Sequence, residues 1–118
     1  MANSNIPLLT GATLFTSTTV GATAIAISAA STVIYELELD NTANAAATFM
    51  RMHNTGTVTP GTTTPDSLIM IPASTKVTMV IPGGWTFGTA LTITAGSSAT
   101  LATTTAPSSA FAVKIVYV

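Results

Sequence analysis

The feature that most constrains the fold of this chain is an alternation of apolar and polar side chains with a period of two residues. It is clearest in "TVIYELELD" (Thr32–Asp40) and in the closing segment "FAVKIVYV" (Phe111–Val118). Successive side chains of an extended strand point to opposite faces of a sheet, so this period indicates strands with one buried face. Thr, Val, Ile and aromatic residues, which fit a pleated surface, are frequent in both segments. The chain is therefore predicted to be all-β.

Clusters of Gly, Pro, Asn, Asp and Ser separate short segments of this kind, and such clusters favour turns. The predicted strands are Thr13–Val20, Thr23–Ser28, Thr32–Asp40, Ala47–Asn54, Leu68–Ala73, Thr75–Gly84, Ala90–Gly96 and Phe111–Val118. A chain of 118 residues is the size of one domain. We expect a single antiparallel β-sandwich over residues 13–118, either jelly-roll-like or immunoglobulin-like, with about seven to nine short strands. Residues 1–12 are predicted to form an N-terminal arm or an edge segment.

The same period predicts which side chains share a face of the two middle strands. In Thr32–Asp40, one face is expected to carry Val33, Tyr35, Leu37 and Leu39, and the other Ile34, Glu36 and Glu38. In the next strand, one face is expected to carry Phe49, Arg51 and His53, and the other Thr48, Met50 and Met52. The two glutamates are predicted to face water or a partner. Arg51 is a candidate to pair with Glu36 or Glu38 across the sheet.

Charged residues make up 6% of the chain, against roughly 25% in ordinary soluble proteins. The formal net charge is −1, so much of the surface must consist of Thr, Ser, Asn and small apolar side chains. Such a surface costs little to desolvate because few ionised groups lose their water. It suits a protein that packs against other subunits, although a neutral, Thr-rich soluble domain is also consistent with it.

The composition excludes several classes of function. The three cations, Arg51, Lys76 and Lys114, lie far apart in sequence, and nucleic-acid binding needs several phosphate contacts. The absence of cysteine rules out disulfides and thiolate metal sites. No apolar run is long enough to cross a bilayer, and the N-terminus lacks the basic region of a signal peptide. We therefore expect neither nucleic acid nor membrane as a partner.

Candidate catalytic and metal-binding groups are few. A Ser67–His53–Asp66 triad lacks the nucleophile-elbow motif, and Asp40 with Asn41 lacks the spacing of a calcium loop. Glu36 and Glu38 share a strand face, as the acid and base of a glycosidase would, but aromatic sugar platforms are scarce. We expect no enzyme and no cofactor, and a small hydrolase that uses these glutamates or His53 stays as a third hypothesis.

The stretch "GGWTFG" contains the single tryptophan, Trp85, and Phe87 two residues later. On an extended segment these rings face the same side. They are predicted to plug one end of the core, to anchor an assembly interface or, with Tyr35, to form a stacking platform for a carbohydrate or receptor. Gly83, Gly84 and Gly88 are expected to let the chain turn around them.

From Tyr35 to the end, the order of features resembles small β-sandwich capsid decoration or cement-type virion proteins of tailed bacteriophages, which have relatives among phage fibre and tail domains. The resemblance is carried by an acidic strand, a Pro-containing loop with a hydrophobic strand, an aromatic segment and a Thr-rich loop before the last strand. These read "YELELDNT" with "FMRMHNTG", "PGTTTPDSLIMIPASTKVTMVIPGG", "WTFGTALTITAG", and "TLATTTAP" with "FAVKIVYV".

This resemblance implies a structural virion protein that binds the assembled capsid lattice and stabilises it, with the major capsid protein as its partner. It also implies a homo-oligomer, with a trimer favoured, located in the virion and assembled in the host bacterial cytoplasm. The alternative is a phage fibre or tail domain, or a carbohydrate- or receptor-binding module that uses Trp85 and Phe87. The candidate interface and packing residues are Trp85, Phe87, Tyr35, Glu36, Glu38 and Arg51.

Overall fold

Eight antiparallel strands arranged in two four-stranded sheets make up the fold. The structure, a computed structural model, describes residues 11–118. The strands are β1 (Thr13–Ser17), β2 (Ile25–Ser28), β3 (Thr32–Asp40), β4 (Thr48–His53), β5 (Ser67–Ile71), β6 (Lys76–Phe87), β7 (Leu91–Gly96) and β8 (Ala112–Tyr117). The first sheet has the order β1-β8-β3-β6 and the second has the order β2-β7-β4-β5. The described residues contain no helix, and so none that could cross a membrane.

The strand order shows which kind of sandwich this is. Every connection passes from one sheet to the other, except that between β4 and β5, which stays in the second sheet. The first and last strands pair with each other, and β2 pairs with β7. This nested pairing of eight strands in two sheets is the jelly-roll arrangement. The fold is thus all-β as expected, and of the two architectures predicted from the sequence, the jelly roll is the correct one.

The core lies between the inner faces of the two sheets. Apolar side chains at alternate positions of β3, β4, β7 and β8 fill it, and they are fully buried. They include Leu37, Leu39, Met50, Met52, Leu91, Ile93, Val113 and Ile115. Burying each of these side chains contributes on the order of 1.5–3 kcal/mol, which explains why the period-two pattern is a reliable guide to the fold.

The alternation in β3 is interrupted, and the predicted faces of this strand are wrong in its first half. Ile34 pairs with Tyr117 and Glu36 pairs with Val116, so Tyr35 is an extra residue in β3 opposite β8. Such a β-bulge shifts the alternation by one position. Ile34 is therefore buried with Leu37 instead of sharing the face of Glu36.

The strand β6 extends beyond its predicted end at Gly84. Glu36 pairs with Val80, but Ile34 pairs with Trp85, so β6 carries additional residues opposite the bulge of β3. Gly84 has a φ of 78°, which is a left-handed conformation that glycine adopts without strain. The glycine pair therefore does not end the strand in a turn, but allows it to bulge and continue to Phe87.

Most other strand predictions are confirmed to within a few residues, with β1 ending at Ser17 rather than Val20. The predicted arm at residues 1–12 lies almost entirely outside the described residues. The expected pairing of Arg51 with Glu36 or Glu38 is wrong, because β4 belongs to the second sheet and β3 to the first. Consecutive strands of a jelly roll commonly lie in opposite sheets, so closeness in sequence does not bring these side chains together.

Candidate functional site

The outer faces of the two sheets differ in how much surface they leave accessible. Residues 54–66 and 97–111, which we call the covering loops, lie over the part of the second sheet's outer face that β7 and β4 form, whereas Leu68 and Met70 on β5 remain exposed. The outward side chains of β7, Thr92 and Thr94, are buried as a result, while the other side of the strand faces the core. Thr92 Oγ1 donates a hydrogen bond of 2.7 Å to the carbonyl of Thr55 in one loop. No loop within residues 11–118 covers the outer face of the first sheet in this way, and in this part of the chain that face is accessible to a partner.

This surface, which we call the open face, consists of cross-strand rows that the strand register defines. The first row runs Leu14, Val116, Glu36 and Val80 across β1, β8, β3 and β6. The second row runs Thr16, Lys114, Glu38 and Thr78, and the third runs Ala112, Asp40 and Lys76. Five of the seven charged side chains of the chain therefore lie on the open face, so the few charges are concentrated on one side of the molecule.

Glu38 is the centre of a small ionic cluster on the open face. Its Oε1 lies 2.9 Å from Nζ of Lys76 and 3.9 Å from Nζ of Lys114. The hydrogen bond from Lys76 lowers the pKa of Glu38, with Lys114 adding to the effect, and Glu38 in turn raises the pKa of Lys76. Hydrogen bonds from the hydroxyl and backbone of Thr42 lower the pKa of Asp40. With Asp40 included, two carboxylates and two ammonium groups lie together here, and their formal charges sum to zero.

The first row of the open face is different, because it is mainly apolar. Val80 is 68% exposed and Leu14 is 60% exposed, which is high for side chains of this kind. Glu36 lies between Val80 and Val116, and it makes no ion pair with any described residue. An apolar strip with one acidic group suits a partner that offers apolar side chains around one cation or hydrogen-bond donor.

Tyr35 lies beside this strip at the β3 bulge, half-buried, next to Val33 and above Gly84. A Cβ placed on Gly84 would collide with Cγ1 of Val33 and would lie 3.2 Å from Cε1 of Tyr35. The absence of a side chain at Gly84 thus determines how Tyr35 rests on the sheet. Three of the candidate interface and packing residues thus lie on β3, at or beside the open face: Tyr35, Glu36 and Glu38.

Trp85 and Phe87 lie on the inner side of β6 and pack against the core. Their ring centroids are 5.1 Å apart with the planes tilted by 46°, a favourable aromatic arrangement. Phe87 is 3% exposed, and Trp85 is partly buried against the core cluster. This is the packing expected of a core plug. A stacking platform for a ligand needs both rings accessible, so this geometry disfavours that interpretation.

Arg51 and His53 occupy the outer side of β4, beneath the covering loops. Nη2 of Arg51 donates hydrogen bonds of 2.6 Å to the carbonyl of Ser98 and 3.0 Å to that of Thr100. The guanidinium therefore holds a loop and does not face a carboxylate. Its burial, and that of His53, has no signal in the sequence, because nothing in β4 shows that two loops will cover it.

The candidate catalytic and metal-binding sets do not form interacting groups in the described residues. Oδ2 of Asp66 accepts a hydrogen bond from the backbone amide of Asn54 and makes none with His53. No group of three or more His, Asp or Glu side chains gathers within residues 11–118. Asp40 Oδ1 accepts two hydrogen bonds from Thr42, and Asn41 Oδ1 accepts one from Thr48. Both side chains therefore stabilise the connection between β3 and β4.

Comparisons with protein-family models, with curated proteins and with solved structures found no match. The open face and the composition of the chain are therefore the main guides to its function.

Proposed function

We propose that this protein is a structural virion protein of a tailed bacteriophage, a capsid decoration or cement protein that binds the assembled lattice of the major capsid protein through the open face. The observation that carries the proposal is the exposed apolar strip on a four-stranded sheet that no loop among the described residues covers, in a chain with 6% charged residues. Two further arguments support it. Jelly rolls are frequent among viral capsid domains, and the order of sequence features resembles that of decoration proteins.

The stabilising mechanism follows from mass action. A protein that binds the assembled lattice better than free capsid subunits shifts the equilibrium towards the assembled state. Docking the open face removes Leu14, Val80 and Val116 from water, and each square ångström of apolar surface contributes roughly 25 cal/mol before the cost of association. The Lys76–Glu38–Lys114 cluster keeps its mutual ion pairs on docking, and Asp40 beside it balances the second lysine.

Closed symmetry is part of the proposal. Most soluble homo-oligomers have closed symmetry, and a homotrimer at three-fold positions of the lattice is the state we propose. The mass of the full chain in solution, measured by light scattering, tests this, and a mass of three chains is expected. A monomer at micromolar concentration would contradict a trimer that forms before docking.

The experiment on the open face compares two substitutions of matched chemistry. Val80→Lys places a charge in the apolar strip, whereas Leu68→Lys places one on β5, where Leu68 is 44% exposed on the second sheet. Full-length variants are mixed with particles stripped of the protein, and bound protein and heat resistance of the particles are measured. Val80→Lys is expected to weaken binding at least tenfold and to abolish the gain in heat resistance, while Leu68→Lys behaves as wild type.

Three results would contradict different parts of the proposal. Equal binding by both variants would exclude the open face as the docking surface. Particles that are equally heat-resistant without the protein would exclude a cement role. Immunogold labelling on tails or fibres, or none on any particle, would exclude a capsid position, and glycan binding that depends on Trp85 would favour the receptor-binding alternative.

A further inference from the structure

The outer side of β4 and the covering loops enclose a small cavity. Its walls include Arg51, His53, Gly61, Thr94, Leu101 and Thr104, and its volume is about 10 Å³. A cavity needs about this volume to hold a single water molecule, and it cannot hold several. The two loops meet over it, since a Cβ on Gly61 would lie 2.9 Å from Cγ2 of Thr104.

His53 lies in this cavity with unusual surroundings for a histidine. It is 1% exposed, and neither Nδ1 nor Nε2 has a hydrogen-bond partner among the described residues. The backbone of Thr64 lies near enough to favour the charged form of the ring, but no hydrogen bond joins it to Nδ1 or Nε2. An imidazolium carries two N–H donors that both need acceptors, and this cavity does not supply them.

The charged groups around His53 are few and can be named completely. On its own strand the neighbour is Arg51, whose buried guanidinium adds a second positive charge on the same side of β4. From the loop before β5 the neighbour is Asp66, which favours the protonated ring from a distance. Residues 54–65 and 97–111 contain no charged side chain, and β7 presents only Thr92 and Thr94 on this side.

We propose that the covering loops are an acid-released latch: protonation of His53 opens them and exposes the outer face of the second sheet, with Arg51, to solvent. This proposal does not depend on where the protein assembles. The moving part is the stretch of each loop that lies over β4 and β7, whereas the far end of the second loop stays anchored by the buried ring of Phe111 and by hydrogen bonds to Asn44. Over the sheet itself, Thr92 donates a hydrogen bond to Thr55. Arg51 holds Ser98 and Thr100, and the amide of Asp66 donates to the carbonyl of Met52. Met52 itself faces the opposite, core side of β4.

The direction of the pH dependence follows from the environment of the ring. Burial is the main influence and lowers the pKa of His53 below its usual 6.5; Asp66 and the backbone of Thr64 oppose this, and Arg51 makes a smaller contribution in the same direction as burial. The open state therefore binds the proton more readily than the closed state. The closed state keeps its full stability above pH about 6.5 and loses it as the pH falls below that value. In the steepest part, the opening equilibrium increases up to about tenfold per pH unit.

Two acidic groups with shifted pKa values lie away from the covering loops. The pKa values of Glu38 and Asp40 lie below 4.5 and 3.8, and both side chains are on the first sheet. Titration of Glu38 and Asp40 therefore does not account for a change in the covering loops, and the His53 variants separate the ring from Asp66, the acidic group within those loops.

The experiment uses the full chain, in which His53 is the only histidine, so its ring signals in NMR are assigned without ambiguity. Ring titration is recorded together with hydrogen-exchange protection factors of loop amides that donate within the loops, those of Thr62, Ser97 and Thr103. The amide of Val33, which donates to Val118 in the first sheet, is the internal control. From pH 7 to pH 5 we expect the loop protection factors to fall at least tenfold and that of Val33 to remain constant.

Two variants separate the latch from a general acid effect. His53→Gln keeps a neutral polar group in the cavity, and His53→Leu fills it with an apolar one. Both are expected to keep loop protection constant over the same pH range. The proposal is overturned if loop protection in either variant falls as in wild type, or if the ring of wild-type His53 titrates at or above pH 6.5. It is also overturned if the ring titrates below that value while the loop amides stay protected, a result that needs no variant.

Discussion

Asn41 offers a sharp test of what holds the jelly roll together. It follows β3, is fully buried, and bonds to three separate parts of the chain. Its Nδ2 lies 3.1 Å from the carbonyl of Ala46, 3.3 Å from that of Ile71 and 3.0 Å from that of Pro72. Its Oδ1 accepts a hydrogen bond of 2.6 Å from Oγ1 of Thr48. One amide thus joins the end of β3, the start of β4 and the turn that leads from β5 to β6.

The magnitude of its contribution follows from these bonds. The two amide hydrogens donate two hydrogen bonds at a time to the three carbonyls, and Oδ1 accepts one from Thr48. The side chain therefore makes about three hydrogen bonds at once, each worth about 1 kcal/mol. Truncation also leaves buried groups unpaired, among them Oγ1 of Thr48, at about 1–3 kcal/mol. We expect Asn41→Ala to lower the free energy of unfolding by about 3–5 kcal/mol, out of a total of about 6–18 kcal/mol for a chain of this length.

Urea unfolding followed by tryptophan fluorescence measures this difference, since Trp85 is the single tryptophan. The matched control is Thr42→Ala, the next residue, which is exposed and loses one local bond to Asp40, so its cost is expected to be about 0.5 kcal/mol. Asn41→Asp is expected to cost more than Asn41→Ala at pH 7, because a carboxylate would face three carbonyl oxygens. A loss below about 1 kcal/mol in Asn41→Ala, equal to that of the control, would refute this account.

Two further predictions concern the strand β6. Trp85→Ala is expected to cost about 2–4 kcal/mol and Phe87→Ala about 3–5 kcal/mol in urea unfolding followed by circular dichroism, because Phe87 is the more deeply buried ring. The reverse order would contradict the core packing. Gly84→Ala is expected to cost at least about 1–2 kcal/mol, since its φ of 78° is unfavourable for alanine and its Cβ would meet Val33. Gly83→Ala is the control. A Cβ at Gly83 meets nothing within 4 Å, so the free energy of unfolding is expected to change by no more than about 0.5 kcal/mol. Equal losses at the two glycines would argue against the bulge.

The sequence by itself was sufficient for the fold class and for most strands. Alternation such as that of Phe111–Val118 depends on one strand having one buried face, and this local rule holds whichever strand lies beside it. The low charge, likewise, is a property of composition, and it indicates an easily desolvated surface whatever fold the chain adopts. Rules of this kind are local and do not depend on tertiary contacts, and the predictions of fold class and strands that rest on them are confirmed.

The tertiary structure alone determined how these strands meet. A bulge at Tyr35 arises from the register of β3 against β8 and β6, and a single extra residue moves Ile34 into the core. Whether Arg51 faces Glu38 or a loop carbonyl depends on the sheet to which β4 belongs. The burial of His53, in turn, depends on loops that are distant in sequence. Each of these features rests on contacts between segments far apart along the chain, and the period of a pattern carries no information about such contacts.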